Sequence, residues 1–567
     1  MSSGRRKPGL ESFGRSRCWR RSATRTRERS MATSRSEAPP APQSGTPSLR
    51  KDTSAPPFRR LLIANRGEIA VRIIRACREL GIETVAVYSD ADAHAAHVRL
   101  AGAAVRIGPP PPTESYLRID AIVAAAVETG SEAVHPGYGF LAERASFATA
   151  VEHAGLAFVG PPASVIDALG DKLHARRTAR AVGVDAVPGT LEPAPVDQPD
   201  QVEAILAEAE AIGFPLLVKA AAGGGGRGMR RVATAADLPA ALAAGSQEAA
   251  SAFGDGSVYL EREIAPARHI EVQLLGDADG RVIAIGERDC SLQRRHQKLV
   301  EEAPAPGLTR EERTHLHDLA VRVATAAGLR NAATAEFLRA PDGRFYFLEV
   351  NTRLQVEHGV TELVSGLDIV REQLFLAAGR PLSEAALAAA QAAAAPASHA
   401  IEVRISAEDP GRAFAPTPGR VTHWVMPAGP GVRVDTAIQA GERVPPDYDN
   451  LIAKLMVHAG DRPAAIDRLG RALDETEIAG IQTSLPFHRF VARDPSFREE
   501  ELSTDWVAKH WEGAAEQAAA AGVAQLVAGL HALDVRDQAG ALGRGVATGN
   551  GSWRRAGLEE AADRWPR

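Results

Sequence analysis

The sequence predicts an α/β chain of three consecutive domains, and three observations carry that expectation. A strand–helix–strand alternation, Leu61–Asn65, Glu68–Leu80 and Thr84–Tyr88, reads as one unit of an open α/β sheet. An apolar strand, Phe214 to Lys219, runs into the glycine-rich segment Gly223–Gly228. A hairpin then spans 331–358, with two glutamates facing each other across it.

Residues 1–57 come first and read as a disordered tail, rich in Arg, Ser and Pro with little to bury. Nine arginines and one lysine face two glutamates in the first thirty positions, a balance also found in transit peptides. The expectation is a solvated tail, or a start placed too early with Met31 or a later residue as the true beginning, rather than a targeting segment. The open α/β domain follows at 58–165. A second domain at 166–380 carries the glycine run and the glutamate hairpin. After an Ala-rich connector, a third domain of α+β character occupies 398–507, and an Ala-rich tail of unknown role fills 508–567.

The glycine run has no Cβ atoms to hold phosphate oxygens off its amides. It lacks the Gly-Lys-Ser/Thr ending of a P-loop and the spacing of a dinucleotide fingerprint. A strand resumes at Met229–Val232, so the glycines are expected to form a mobile lid between two strands, with Lys219 beside it. By itself the run is equally a flexible hairpin loop.

The hairpin decides more. Pro341-Asp342-Gly343-Arg344 is its turn, and pairing Ala340 with Phe345 places Glu336 opposite Glu349. Like charges directly opposed are destabilising, so compensation is required. A divalent cation is the simplest candidate, and oxygen-only ligands favour Mg²⁺ or Mn²⁺. Beyond Glu349, strand periodicity places Asn351, Arg353, Gln355 and Glu357 on the same face. The bland alternative is a solvated, charged hairpin face. Lys219, the glycines and the carboxylate pair together imply nucleotide phosphates with a divalent cation.

These segments resemble a known family. LLIANRGEIA at 61–70, HPGYGF at 135–140, GDK at 170–172, GGGGRGM at 223–229, ERDCSLQRRHQK at 287–298, EEAPAP at 301–306, EVNTRLQVEH at 349–358 and EVRISAEDP at 402–410 resemble biotin carboxylase, in order, from about Phe58 to Trp506. The resemblance implies an ATP-grasp enzyme in which bicarbonate and ATP give carboxyphosphate, and biotin on a carrier protein takes up the CO₂. It implies Glu336, Glu349 and Asn351 as Mg²⁺ or Mn²⁺ ligands. Lys172, Lys219, His296 and the amides of Gly225 and Gly226 match its nucleotide contacts. Glu261, Arg262, Glu263 and Ile264 match the adenine and ribose segment, with His269 and Gln293 also placed in the cofactor site. Lys298, Arg353 and Val356 match the bicarbonate site, where a guanidinium suits a planar oxyanion. Glu357 matches the general base, Arg404 the residue that stabilises the biotin enolate oxygen, and Tyr138 a wall of the biotin pocket. The bland readings are a salt bridge from Arg404 to Glu402 or Glu408, and a packed aromatic at Tyr138.

Two departures stand out: Ala222 replaces a glycine, and Gly359 replaces a proline after the Glu-His pair, which is expected to loosen the chain there. No Met-Lys-Met carrier motif follows Met456, so biotin is expected on a separate biotin carboxyl carrier protein. Its further partner is expected to be a carboxyltransferase. The resemblance also implies a homodimer. A helical tail at 512–567 could dock such a partner. A net charge of −5 gives no case for nucleic acid, and no apolar run reaches transmembrane length. Cys18, Cys77 and Cys290 make neither a disulfide framework nor a zinc site, which suits a reducing cytoplasm. Two alternatives stay open here: an ATP-grasp ligase acting without biotin, and a non-catalytic protein that only binds nucleotide.

Overall fold

The first alternation becomes the centre of a parallel sheet. Strand β1 (Arg60–Ile63), helix α1 (Gly67–Glu79) and strand β2 (Glu83–Ser89) lead into β3 (Ala103–Gly108), β4 (Ala133–His135) and β5 (Ala157–Phe158). Their order is β3-β2-β1-β4-β5, and every pairing is parallel. Leu61, Leu62 and Ile63 are fully buried, as a continuous apolar run must be when both sheet faces are covered. In the computed structural model, residues 56–194, 202–221 and 229–542 are described. Residues 1–55, the glycine run with Gly225, Gly226 and Ala222, and residues beyond 542 lie outside them.

A three-stranded antiparallel sheet, β7-β6-β8, flanks the glycine segment: β6 (Leu216–Ala220), β7 (Arg230–Val232) and β8 (Val258–Arg262). Lys219 and Glu261 thereby lie on neighbouring strands, their side chains in contact.

An eight-stranded antiparallel sheet dominates the rest. It runs from β13 (Phe345–Asn351) through β12 (Asn331–Arg339), β9 (Arg268–Gly276), β10 (Val282–Arg294) and β11 (Gln297–Ala303) to β14 (His399–Ser406). Strands Leu451–Ala459 and Val432–Thr436 complete it. The third block of sequence therefore continues the sheet of the second, joined where β11 pairs β14 from Val300–Val403 to Ala303–Ala400.

The glutamate hairpin forms with one correction. Arg339, not Ala340, pairs with Phe345, and a bulge at Leu348 absorbs one residue before Glu336 meets Glu349. The expected opposition is reached by a different register. The strand also ends sooner than its polar spacing implies. β13 stops at Asn351, and 352–357 curl into a loop closed by His358 Nδ1 at 2.8 Å from the Gln355 carbonyl oxygen.

Residues 506–542 are helical, as Trp506–His510 and Gly513–Leu542. Trp511 Nε1 donates to the Pro410 carbonyl at 3.2 Å, and Gln517 packs where a Cβ on Gly411 would stand 2.9 Å away.

Candidate active site

A cavity of about 960 Å³ gathers residues from all three sequence blocks. Asn65–Ile69 and Tyr138–Phe140 come from the first block, the lysines and the hairpin from the second, and Arg404, Ser406 and Tyr448 from the third. The first block thus supplies a wall of the cleft together with the second and third. Its contribution is held by Tyr448, whose hydroxyl meets Ser89 Oγ at 2.5 Å while the Arg66 guanidinium lies 4.3 Å from its ring centroid.

At one end the hairpin supplies oxygen donors. Asn351 Nδ2 donates to Glu336 Oε1 at 3.0 Å, and Lys172 contacts the Glu349 carboxylate. The like charge across the hairpin is offset by nitrogen cations: Lys298 Nζ at 2.9 Å and His269 Nε2 at 3.0 Å from Glu336, and Lys172 at Glu349. Charge opposition alone therefore does not demand a metal ion. The donor set does fit one: two carboxylates and an amide carbonyl, all lining the cavity, suit a hard divalent cation. Burial, reinforced by Lys219, pushes the Lys172 ammonium down to about 8.

Lys219 contacts Glu261, which Arg176 holds from behind at 2.6 Å. Burial works against the Glu261 charge, but Lys219 and Arg176 outweigh it and hold its carboxyl below the ordinary range. Arg262, Glu263 and Ile264 line the cavity beside it, as do Gln293 and His296 from β10 and the turn after it. That turn is two residues long, because Arg294 pairs with Gln297, and Arg295 and His296 adopt φ of 48° and 66°. Two consecutive left-handed residues make a type I′ hairpin, normally built with Asn and Gly.

The centre is a ring of charge around Glu357. Its buried carboxylate accepts from Lys298 Nζ at 2.8 Å and from Arg404 Nη2 at 3.0 Å. Burial disfavours the Glu357 charge, yet Lys298, Arg404 and Arg288 hold its carboxyl well below the usual carboxylate range. Lys298 also contacts Glu271 and Glu336, so its ammonium fills the space among three acids. Arg404 reaches Glu301 Oε1 at 2.5 Å, and not Glu402 or Glu408 as the bland reading had it. Burial raises Glu301 to about 7 despite that guanidinium. Arg353 is fixed by Glu143 Oε2 at 2.9 Å, Gln355 Oε1 at 2.7 Å and Asn351 Oδ1 at 2.9 Å. Tyr138 lines the cavity, its buried hydroxyl without a partner among the described residues.

Three family models cover most of this length: "Biotin carboxylase, N-terminal domain" over 57–166, "Carbamoyl-phosphate synthase L chain, ATP binding domain" over 171–385, and "Biotin carboxylase C-terminal domain" over 402–509. A biotin carboxylase of Pseudomonas aeruginosa is 49% identical over 438 residues, 77% of this chain and 95% of the relative. The chain belongs to the biotin carboxylase family. A pyruvate carboxylase polypeptide of Methanothermobacter thermautotrophicus is 47% identical over 456 residues, 80% of this chain and 91% of that one. Among solved structures, Campylobacter jejuni biotin carboxylase in its β,γ-ATP complex matches with TM-score 0.76 at 43% identity, covering 80% of this chain and 99% of that one. The biotin carboxylase domain dimer of Hydrogenobacter thermophilus 2-oxoglutarate carboxylase, with MgADP and bicarbonate, matches with the same TM-score and identity, covering 80% and 98%.

In this family member all but three of the expected site residues line the cavity. Lys172, Lys219, Glu261–Ile264, His269, Gln293, His296, Lys298, Glu336, Glu349, Asn351, Arg353, Val356, Arg404 and Tyr138 all line the cavity. Glu357 sits just behind Lys298 and Arg404, and Gly225 and Gly226 lie outside the described residues. Reading by motif missed Glu271, Arg288, Glu301 and Glu143. A signal existed for the first: Glu271 and Gln273 alternate with apolar residues in β9, which marks one polar face on a buried strand. Glu271 then faces Glu336 on one side and Arg288 on the other. The loosening expected at Gly359 is also corrected. Gly359 is buried in helix His358–Ser365, where a Cβ would stand 2.3 Å from Met456 Sδ, so the glycine makes room for a close-packed neighbour.

Proposed function

We propose that the cavity described above is where this chain carboxylates biotin, consuming ATP and bicarbonate, and that its residues divide the work as follows. Lys172, Lys219, His296 and the Glu261–Ile264 wall hold the nucleotide. Glu336, Glu349 and Asn351 hold Mg²⁺ or Mn²⁺, which when bound neutralises phosphate charge. Lys298, Arg353 and Val356 hold bicarbonate. Glu357 takes the bicarbonate proton as the oxygen attacks the γ-phosphorus and ADP departs, giving carboxyphosphate. That intermediate releases CO₂ and phosphate, and the released phosphate takes the ureido N–H proton of biotin. The nitrogen then attacks CO₂ while Arg404 stabilises the negative charge on the ureido oxygen.

The observation that carries this reading is the position of Glu357. Its two oxygens are shared between Lys298 on the nucleotide side and Arg404 from the third domain, at 2.8 and 3.0 Å. One carboxylate thus sits where the bicarbonate and biotin half-sites meet. A separate biotin carrier protein, a carboxyltransferase that sets the final acceptor, a homodimeric assembly and a cytoplasmic setting complete the proposal. Its support includes the carboxylase names of the relatives and the free, buried Cys77 and Cys290. No described helix is long and apolar enough to cross a membrane.

Arg404→Ala tests the division of labour. Glu357 keeps Lys298, so bicarbonate-dependent ADP release should persist, while carboxylation of biotin falls on the order of 100-fold. With one cation gone, the Glu357 carboxyl rises, so the acid limb of the rate profile should move to higher pH. Wild-type carboxylation by Arg404→Ala would remove that residue from the scheme.

A further inference from the structure

Lys454 is a fully buried lysine outside the cavity, on the strand next to β14. It lies directly opposite Arg404, with which it is register-paired. Carboxylates surround it without bonding it closely: Glu68 Oε1, carried by α1, is 3.6 Å away, and Asp435 Oδ2 is 3.9 Å away. Neither oxygen of Glu68 has a hydrogen-bond partner among the described residues, and the same holds for Glu402 nearby. The short bond goes elsewhere, from Lys454 Nζ to the Val356 carbonyl oxygen at 2.7 Å.

That choice of acceptor is informative. A buried ammonium is expensive unless closely paired, and an apolar side chain of similar volume is often at least as stable in such a place. Here the charge is retained among acids, yet its close bond anchors the backbone of one loop. The loop residue is the one before Glu357. Two neighbouring positions of the third domain therefore grip the 356–357 dipeptide: Arg404 by the Glu357 carboxylate at 3.0 Å, and Lys454 by the Val356 carbonyl at 2.7 Å. Since β13 ends at Asn351, no strand pairing fixes this segment; one turn of backbone bonds, from His358 N to the Gln355 carbonyl at 3.4 Å and from Val360 N to the Glu357 carbonyl at 3.3 Å, leaves the Val356 carbonyl for Lys454.

We infer that Lys454 is a positioning residue, which holds the Val356–Glu357 backbone so that the bicarbonate site and the base keep one geometry. This rests on the proposed reaction. Lys454 touches no substrate, and it acts through Val356.

The test uses the full chain with Lys454→Met and Lys454→Gln, concentrations set by ADP-binding titration. Bicarbonate-dependent ADP release by the wild type comes first, and its failure would sink the reaction and this inference together. With an active wild type, the expected result for folded variants is a bicarbonate KM raised at least about tenfold and kcat lowered on the order of 100-fold, because small misplacements of reacting groups cost that much. The KM for Mg·ATP should stay within about twofold. Wild-type kcat and bicarbonate KM would overturn the inference while leaving the reaction standing. So would equal loss toward every substrate, or failure of both variants to fold, since the residue would then serve the fold alone.

Discussion

Glu349 illustrates how single residues carry the account. Its carboxylate is both a proposed metal ligand and the partner of Lys172. Glu349→Gln should raise the KM for Mg·ATP on the order of tenfold, because a ligand charge is lost. Lys172 is already down to about 8, and it keeps its charge only below that pH. The wild-type KM for Mg·ATP should therefore climb as pH rises through about 8, and the variant should climb earlier. KM measured across pH 6.5 to 9, values chosen to bracket that pKa of about 8, checks both. Gly359 makes a second case. Gly359→Ala should destabilise the fold by about 1–3 kcal/mol through overpacking against Met456. Gly359→Ala combined with Met456→Val should recover part of that loss in urea unfolding, as coupled neighbours do.

Elements show what was legible and what was not. Period-two reading of 336–357 picked out Asn351, Arg353 and Gln355, which line the cavity, and Glu357, which sits behind Lys298 and Arg404, but for the wrong reason beyond Asn351. There the strand has ended, and Arg353 and Glu357 reach the site from a loop held by Gln355, Asn351, Lys298 and Lys454. Lys298 and Lys454 are far away in sequence, so no local pattern announces them. The bulge at Leu348 was equally silent, since bulges leave composition unchanged. Between elements, Glu302 on β11 joins Arg462 at 2.8 Å and His399 at 2.9 Å. Burial opposes the charge, but Arg462 and His399 hold this carboxyl at about 2. Its stabilisation is present above the ordinary carboxylate range and lost as pH falls toward 2, about 3 kcal/mol in all. Glu302→Gln should lose on that order at pH 7, and the gap from wild type should close as unfolding is followed down to pH 2–3, the region of that depressed value.

At the scale of the molecule, motifs with fixed spacing made the proposed nucleotide half of the site readable: opposed glutamates, a lysine before glycines and a guanidinium two residues past a proposed ligand. The proposed biotin half depends on assembly. Arg404 enters the site because β14 extends the sheet that carries Lys298 and Glu336, and Tyr448 bridges to Ser89 on β2. Salt-bridge partners of Arg404 near in sequence looked plausible, yet the sheet supplied Glu301 and Glu357 instead. The central claim is that one carboxylate, Glu357, serves both half-sites, and the most direct measurement is ADP release by the purified chain with Mg²⁺ and labelled bicarbonate, with and without biotin. The expected result is bicarbonate-dependent release, stimulated by biotin, with label recovered in carboxybiotin. Bicarbonate-dependent release that stays indifferent to biotin, free or carrier-bound, and forms no carboxybiotin would contradict it.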